Sequence, residues 1–198
     1  MALCPPLEQP CDQVRALLAP LRNALSIALY SHGNPFSVGG IIRVAHSFLV
    51  REILLIGEAS FYPKASMGMH HYETIRVFPD EPAFLQHVGA RPLWAVEKDH
   101  ATRSLFSPMP FPDDVVLLFG SERAGLPPSM LAHASQVIGI PMYGVNHSFP
   151  VSVTVGMVLC EWSRRRYAPG TVVTVPRDAT GPAASIAVCS CKPGSAPK

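Results

Sequence analysis

VIGIPMYGVNHSFPVSVTVGMVLCEW, residues 137–162, joins a short apolar run, an Ile-Pro-Met turn, a loop of small and polar residues and a second apolar run. That order reads as strand, loop and buried helix. Pro150 falls at the first turn of the helix, where the N–H it lacks has no intrahelical partner anyway. The helix is expected to run to about Tyr167 and to stop at Pro169-Gly170.

Upstream, the same alternation repeats. ALSIALY (24–30) reads as a strand, GGIIRVAHSFL (39–49) as a helix and REILLIG (51–57) as a strand ended by Gly57. TIRVF (74–78), PAFLQHV (82–88) and PLWAVE (92–97) continue as strand, helix, strand. VVLLFG (115–120) is an unbroken apolar run suited to a strand buried on both faces, followed by a helix at PPSMLAHA (127–134) and a last strand at VIGI (137–140). Strands that alternate with helices imply an α/β fold: a mostly parallel sheet flanked by helices. Residues 1–21, with prolines around DQVRALLA, read as an N-terminal extension. Residues 22–168 form the domain, and 169–198 are a low-complexity C-terminal tail with a short strand at TVVTV.

Composition sets the outer limits. A hydrophobic fraction of 48% over 198 residues fills a real core, and a charged fraction of 15% argues against a mainly disordered chain. The net charge of +2 makes any nucleic-acid site a local patch rather than a global field. Five scattered cysteines and the lack of a signal core point to a reducing cytoplasm. Cys189 and Cys191 have no second pair beside them and make a weak zinc site. No apolar run reaches the roughly 18 residues that span a bilayer.

Ligands of parallel sheets sit beyond the carboxyl ends of the strands. AVEKD after Trp94, FGSERAG after Leu118 and IPMYGVNHS after Ile138 all fall there, and none carries a dinucleotide or phosphate-loop fingerprint. In FGSERAG, Glu122 is either a site acid or the solvated residue of an ordinary strand-to-helix turn. Ile140 and Met142 also fit a plain core position. Arg43 lies one turn into the helix that follows Asn34-Pro35, where the dipole disfavours a cation unless something negative sits nearby. It is either a phosphate ligand or a surface arginine paired with a carboxylate. His70 and His71 read as surface residues. Arg164, Arg165 and Arg166 either complement the helix dipole or touch a nucleic-acid backbone.

Three stretches, in order and at fitting distances, resemble the motifs of the SpoU/TrmH branch of the SPOUT RNA methyltransferases. They are Asn34-Pro35 with Ser37-Val38-Gly39-Gly40-Ile41-Ile42-Arg43, Gly120-Ser121-Glu122-Arg123-Ala124-Gly125-Leu126, and Ile140-Pro141-Met142 with Ser148-Phe149-Pro150-Val151-Ser152. The match spans about residues 22–167 and departs at two positions, where Ser37 and Pro150 each replace an asparagine.

The resemblance implies a trefoil knot near the C-terminus, a homodimer and methyl transfer from S-adenosylmethionine to a ribose 2′-hydroxyl of tRNA or rRNA, with no metal. It implies cofactor contacts from Ala95, Val96, Glu97, Phe119, Gly120, Ser121, Gly125, Ile140, Pro141, Met142, Ser148 and Phe149. RNA contacts are implied for Asn34, Ser37 and Arg43, and catalytic roles for Arg43, Glu122 and Ser148. A guanidinium is too reluctant a proton donor to serve as a base near neutral pH, so a positioning role suits Arg43, with Glu122 orienting the loop or the arginine. Two alternatives stand beside this one: base methylation on the same fold, and an RNA-binding dimer without turnover. Without an accessory domain, Arg22, Arg51, Arg76 and the 164–166 arginines are the available RNA contacts on the dimer surface.

Overall fold

In the computed structural model, which describes residues 9–31, 34–58 and 60–167, seven strands form one sheet. They are β1 (Ser26–Tyr30), β2 (Ile53–Ile56), β3 (Ile75–Phe78), β4 (Leu93–Val96), β5 (Arg103–Ser104), β6 (Val116–Phe119) and β7 (Gln136–Gly139). The order across the sheet is β3-β2-β1-β6-β4-β7-β5, and every pairing is parallel. The helices are α1 (Cys11–Leu18), α2 (Pro35–Ser47), α3 (Glu81–Val88), α4 (Pro128–His133) and α5 (Val151–Arg166).

The pleat divides each strand between two cores. Ile27, Leu29, Leu117 and Phe119 face one way and pack with Ile41 and Ile42 of α2 and Val155, Val158 and Leu159 of α5. Ala28, Leu118 and Ala95 face the other way, toward Phe84 and Val88 of α3 and Met130 of α4. Two helical layers therefore cover the sheet, which is why β1, β2, β4 and β6 are apolar on both faces.

Sequence and structure agree on element types, with ends shifted by a few residues. The strand β5 lies between PLWAVE (92–97) and VVLLFG (115–120), where the sequence pattern marks no element. Its two residues align with Ile138 and Gly139 of β7, too short a match to leave a periodic signal. The N-terminal extension is anchored through Val14 and Leu18, both almost fully buried. The expected strand at TVVTV and the pair Cys189 and Cys191 lie outside the described residues.

Three acidic residues tie the edges of the sheet down. Glu52, at the start of β2, is held by Arg76, His87 and Arg91 at 2.9–3.2 Å. Glu73 joins Arg22 to His46 in the last turn of α2. Glu161 receives Arg164 and Arg165, and the bond from Arg164, then that from Arg165, holds its carboxyl at about 2. Arg165 also donates to the carbonyls of Leu105 and Met109, so α5 clamps the segment between β5 and β6.

Candidate active site

The carboxyl ends of β4, β6 and β7 open onto a cavity of about 390 Å³, and those of β1 and β6 onto a second of about 200 Å³. Both cavities thus lie beyond the carboxyl ends of the strands, where an open α/β sheet holds its ligands, and the smaller sits where the strand order reverses between β1 and β6. Ser121, Glu122, Arg123 and Val151 line both.

The shared wall is a closed turn. Ser121 N donates to Gly125 O at 3.2 Å, Gly125 N donates to Ser121 O at 3.0 Å, and Ala124 N donates to the Ser121 hydroxyl at 3.1 Å. Gly125 adopts a φ of +63°, which favours glycine there. A Cβ on Gly120 would stand 2.6 Å from Gly125 O and 2.7 Å from Leu126 N, so the backbone can close only over a glycine. Glu97 braces the turn from below. Its carboxylate accepts Lys98 N at 2.8 Å and Leu126 N at 3.4 Å.

Glu122 is fixed from the other side. Asn34 caps α2 by accepting Ser37 N at 3.1 Å, and its amide Nδ2 donates to Glu122 Oε2 at 2.9 Å. The Ser37 hydroxyl donates to Glu122 Oε1, also at 2.9 Å. Ser37 therefore still gives Glu122 a donor at the position where the resemblance expects asparagine. Pro150, the second departure, precedes α5 with no side-chain cap, while its carbonyl accepts Val153 N and Thr154 N at 3.0 Å. Below the second cavity, Tyr30 donates to Glu81 Oε1 at 2.6 Å. Burial, then that bond, pushes the phenol upward.

Of the residues named from sequence, Val96, Glu97, Phe119, Gly120, Ser121, Glu122, Gly125, Ile140, Met142, Ser148 and Phe149 line the larger cavity. Asn34, Ser37 and Glu122 line the smaller one. Three others are placed elsewhere. Ala95 is fully buried in β4, where the pleat turns it into the second core; Pro141 does not line the cavity; Arg43 is exposed on α2 and lines neither cavity. Gly139, Thr154 and Tyr30 line the cavities without having been singled out, and Val151, quoted only within the third motif and given no role, joins them. Their signal was positional: a strand end for Tyr30 and Gly139, and an i, i+3 pair at the start of α5 for the other two.

The surface arginines are mostly committed. Arg22, Arg76, Arg164, Arg165 and Arg166 pair with Glu73, Glu52, Glu161 and Asp113, which argues against a role for them as free RNA contacts. His70 is half-buried and hydrogen-bonded to Ser66 at 2.6 Å, so it is not the plain surface residue expected. Among the described residues there is no cluster of three or more His, Cys, Asp or Glu that could hold a metal, and no helix long and apolar enough to cross a membrane.

The comparisons with known proteins follow the same geometry. The family model described as SpoU rRNA Methylase family matches residues 24–160. The tRNA (guanosine(18)-2′-O)-methyltransferase of Escherichia coli K12 is 29% identical over 160 residues, 78% of this chain and 69% of that protein. The tRNA (cytidine(34)-2′-O)-methyltransferase of the same organism is 31% identical over 157 residues, 75% of this chain and 98% of that protein. The AdoMet-bound rRNA methyltransferase structure from Sinorhizobium meliloti superposes with a TM-score of 0.65 at 26% identity, covering 78% of this chain and 61% of that one. With the three motifs gathered at one edge of a parallel sheet, the chain belongs to the SpoU methylase family.

Proposed function

We propose that this protein methylates a ribose 2′-hydroxyl of tRNA or rRNA, with S-adenosylmethionine as donor, and acts in the cytoplasm as a homodimer with its C-terminal segment threaded as a trefoil knot. Residues 22–168 are the methyltransferase domain in this reading. The observation that carries it is the pair of cavities divided by one acid-bearing turn, which gives two reactants separate seats with a common wall. The larger has the size of a cofactor pocket. Its rim of backbone and apolar side chains around Gly120, Ile140 and Met142 suits a nucleoside-containing donor, and the AdoMet-bound rRNA methyltransferase from Sinorhizobium meliloti shares the fold. When bound, the donor supplies a methyl already activated by its sulfonium.

The protein's part is alignment. Glu122 is held rigid by Asn34 and Ser37, with a carboxylate presented to the mouth of the smaller cavity. Loss of one charge-assisted bond costs about 1.5–3 kcal/mol. Ser37→Ala is therefore expected to lower kcat about tenfold or more while leaving the affinity for S-adenosylhomocysteine within twofold. A kcat unchanged in steady-state assays would remove Ser37 from the site.

Arg43 lines neither cavity; it lies on the α2 stripe with Phe36 and Gly40, and its guanidinium has no bonding partner among the described residues. On α5, Val153, Met157 and Cys160 are likewise exposed, with Gly156 open between them. These adjoining faces supply the dimer surface, and Arg43 serves the site of the second copy. Met157→Asp is expected to shift the protein to monomers in sedimentation equilibrium and to abolish methylation. A dimer that withstands the change would place the interface elsewhere.

The central test pairs calorimetric binding of S-adenosylhomocysteine with nucleoside mass spectrometry of RNA from cells lacking the protein. One missing 2′-O-methyl nucleoside is expected. A missing base-methylated nucleoside would transfer the assignment to base methylation, and absence of both cofactor binding and any lost mark would overturn the enzyme reading.

A further inference from the structure

Arg123 occupies the tip of the Ser121–Gly125 turn, on the wall common to the two cavities. Two backbone bonds and one from Ala124 N to the Ser121 hydroxyl pin that turn, so the Cα of Arg123 is fixed while its side chain stays exposed. The adjacent acid is turned toward α2: both oxygens of Glu122 accept from Asn34 and Ser37, and among the described residues no ion pair joins it to Arg123. None of the ion pairs among the described residues includes Arg123, whereas five of the arginines first considered for RNA are paired. Lys98, the other long cation of the larger cavity, is paired with Asp99.

We propose that Arg123 grips a backbone phosphate of the RNA strand at the mouth of the smaller cavity and so sets where the target nucleotide enters; this rests on the methyltransferase reading. The smaller cavity carries a carboxylate, Glu122, and Arg123 is the cation on its lining. An RNA strand brings one negative charge per phosphate, and the planar guanidinium matches two phosphate oxygens at once. S-adenosylmethionine brings a sulfonium and a net positive charge, so a cation on the shared wall gains little from it. That difference in charge favours the RNA as the partner of Arg123. A fixed turn also suits this task, since an anchored Cα leaves only the side chain to be ordered when the phosphate arrives.

The test uses the full chain with unfractionated tRNA as the probe, comparing the wild type with Arg123→Ala and Arg123→Lys. RNA affinity is measured across a salt series and S-adenosylhomocysteine affinity by calorimetry. For Arg123→Ala, the slope of log affinity against log salt is expected to fall by about one unit. KM for RNA should rise about tenfold with kcat within twofold, and S-adenosylhomocysteine affinity should stay within twofold. Arg123→Lys should keep the slope. A slope unchanged in Arg123→Ala would make Arg123 an ordinary surface arginine, and a tenfold loss of S-adenosylhomocysteine affinity at constant slope would assign it to the donor; either result overturns the proposal. Failure of the wild type to bind S-adenosylhomocysteine would instead count against the methyltransferase reading, and the salt slopes would still judge Arg123.

Discussion

Gly120→Ala is expected to abolish cofactor binding, with S-adenosylhomocysteine affinity falling at least about a hundredfold, or ~3 kcal/mol. The added Cβ would meet Gly125 O at 2.6 Å and Leu126 N at 2.7 Å, both backbone atoms that cannot swing aside as a side chain could. Relief requires opening the bridge between Ser121 and Gly125, and with it the floor of the larger cavity and the mount of Glu122. Gly125→Ala is the informative control. There the new Cβ would meet the Glu97 carboxylate at 2.9 Å, a movable group, and the main cost is the left-handed φ of +63°, about 1–2 kcal/mol. Calorimetry on the two variants should rank Gly120→Ala as clearly the worse. A Gly120→Ala protein that binds S-adenosylhomocysteine within threefold of the wild type would mean that this turn does not form the donor site.

The sheet was legible because its strands are buried on both faces. Runs such as VVLLFG and REILLIG leave little choice of environment, and the helices between them leave little choice of direction. The three site loops were legible for the same reason, since each follows such a run directly. What escaped was everything decided by distance in space. Ser37 meets Glu122 across 85 positions of sequence, and the arginines that looked available for RNA are absorbed by Glu52, Glu73 and Glu161. Arg43 shows the limit most clearly. Its resemblance to the family motif put it at the chemistry, yet it lies exposed on the outer stripe of α2 and lines neither cavity. A helix pattern specifies which residues share a face, but not what that face meets.

Glu73→Ala is expected to destabilise the fold by about 3–5 kcal/mol, the range for removing one partner from a buried ion pair. The Glu73 side chain is fully buried and accepts from Arg22 Nη1 at 2.7 Å and from His46 Nδ1 at 2.7 Å. Arg22 also donates to the carbonyls of Val50 and Tyr72, so it cannot leave for water without breaking those bonds. Burial pushes the Glu73 carboxyl upward, but the bonds from His46 and Arg22 outweigh it, and the net shift is downward. A carboxyl lowered on folding adds stability that is complete above its unfolded value, roughly 4.3, and is lost as pH falls through the folded one. Chemical denaturation of the wild type should therefore show stability falling below about pH 4.5, and Glu73→Ala should flatten that part of the profile while lowering stability at pH 7. His46 ends the helix whose first turn carries Asn34 and Ser37, so the variant should also loosen Glu122 at the other end of α2. Equal acid profiles for variant and wild type would show that Glu73 is not the group that ties the site helix to the sheet edge.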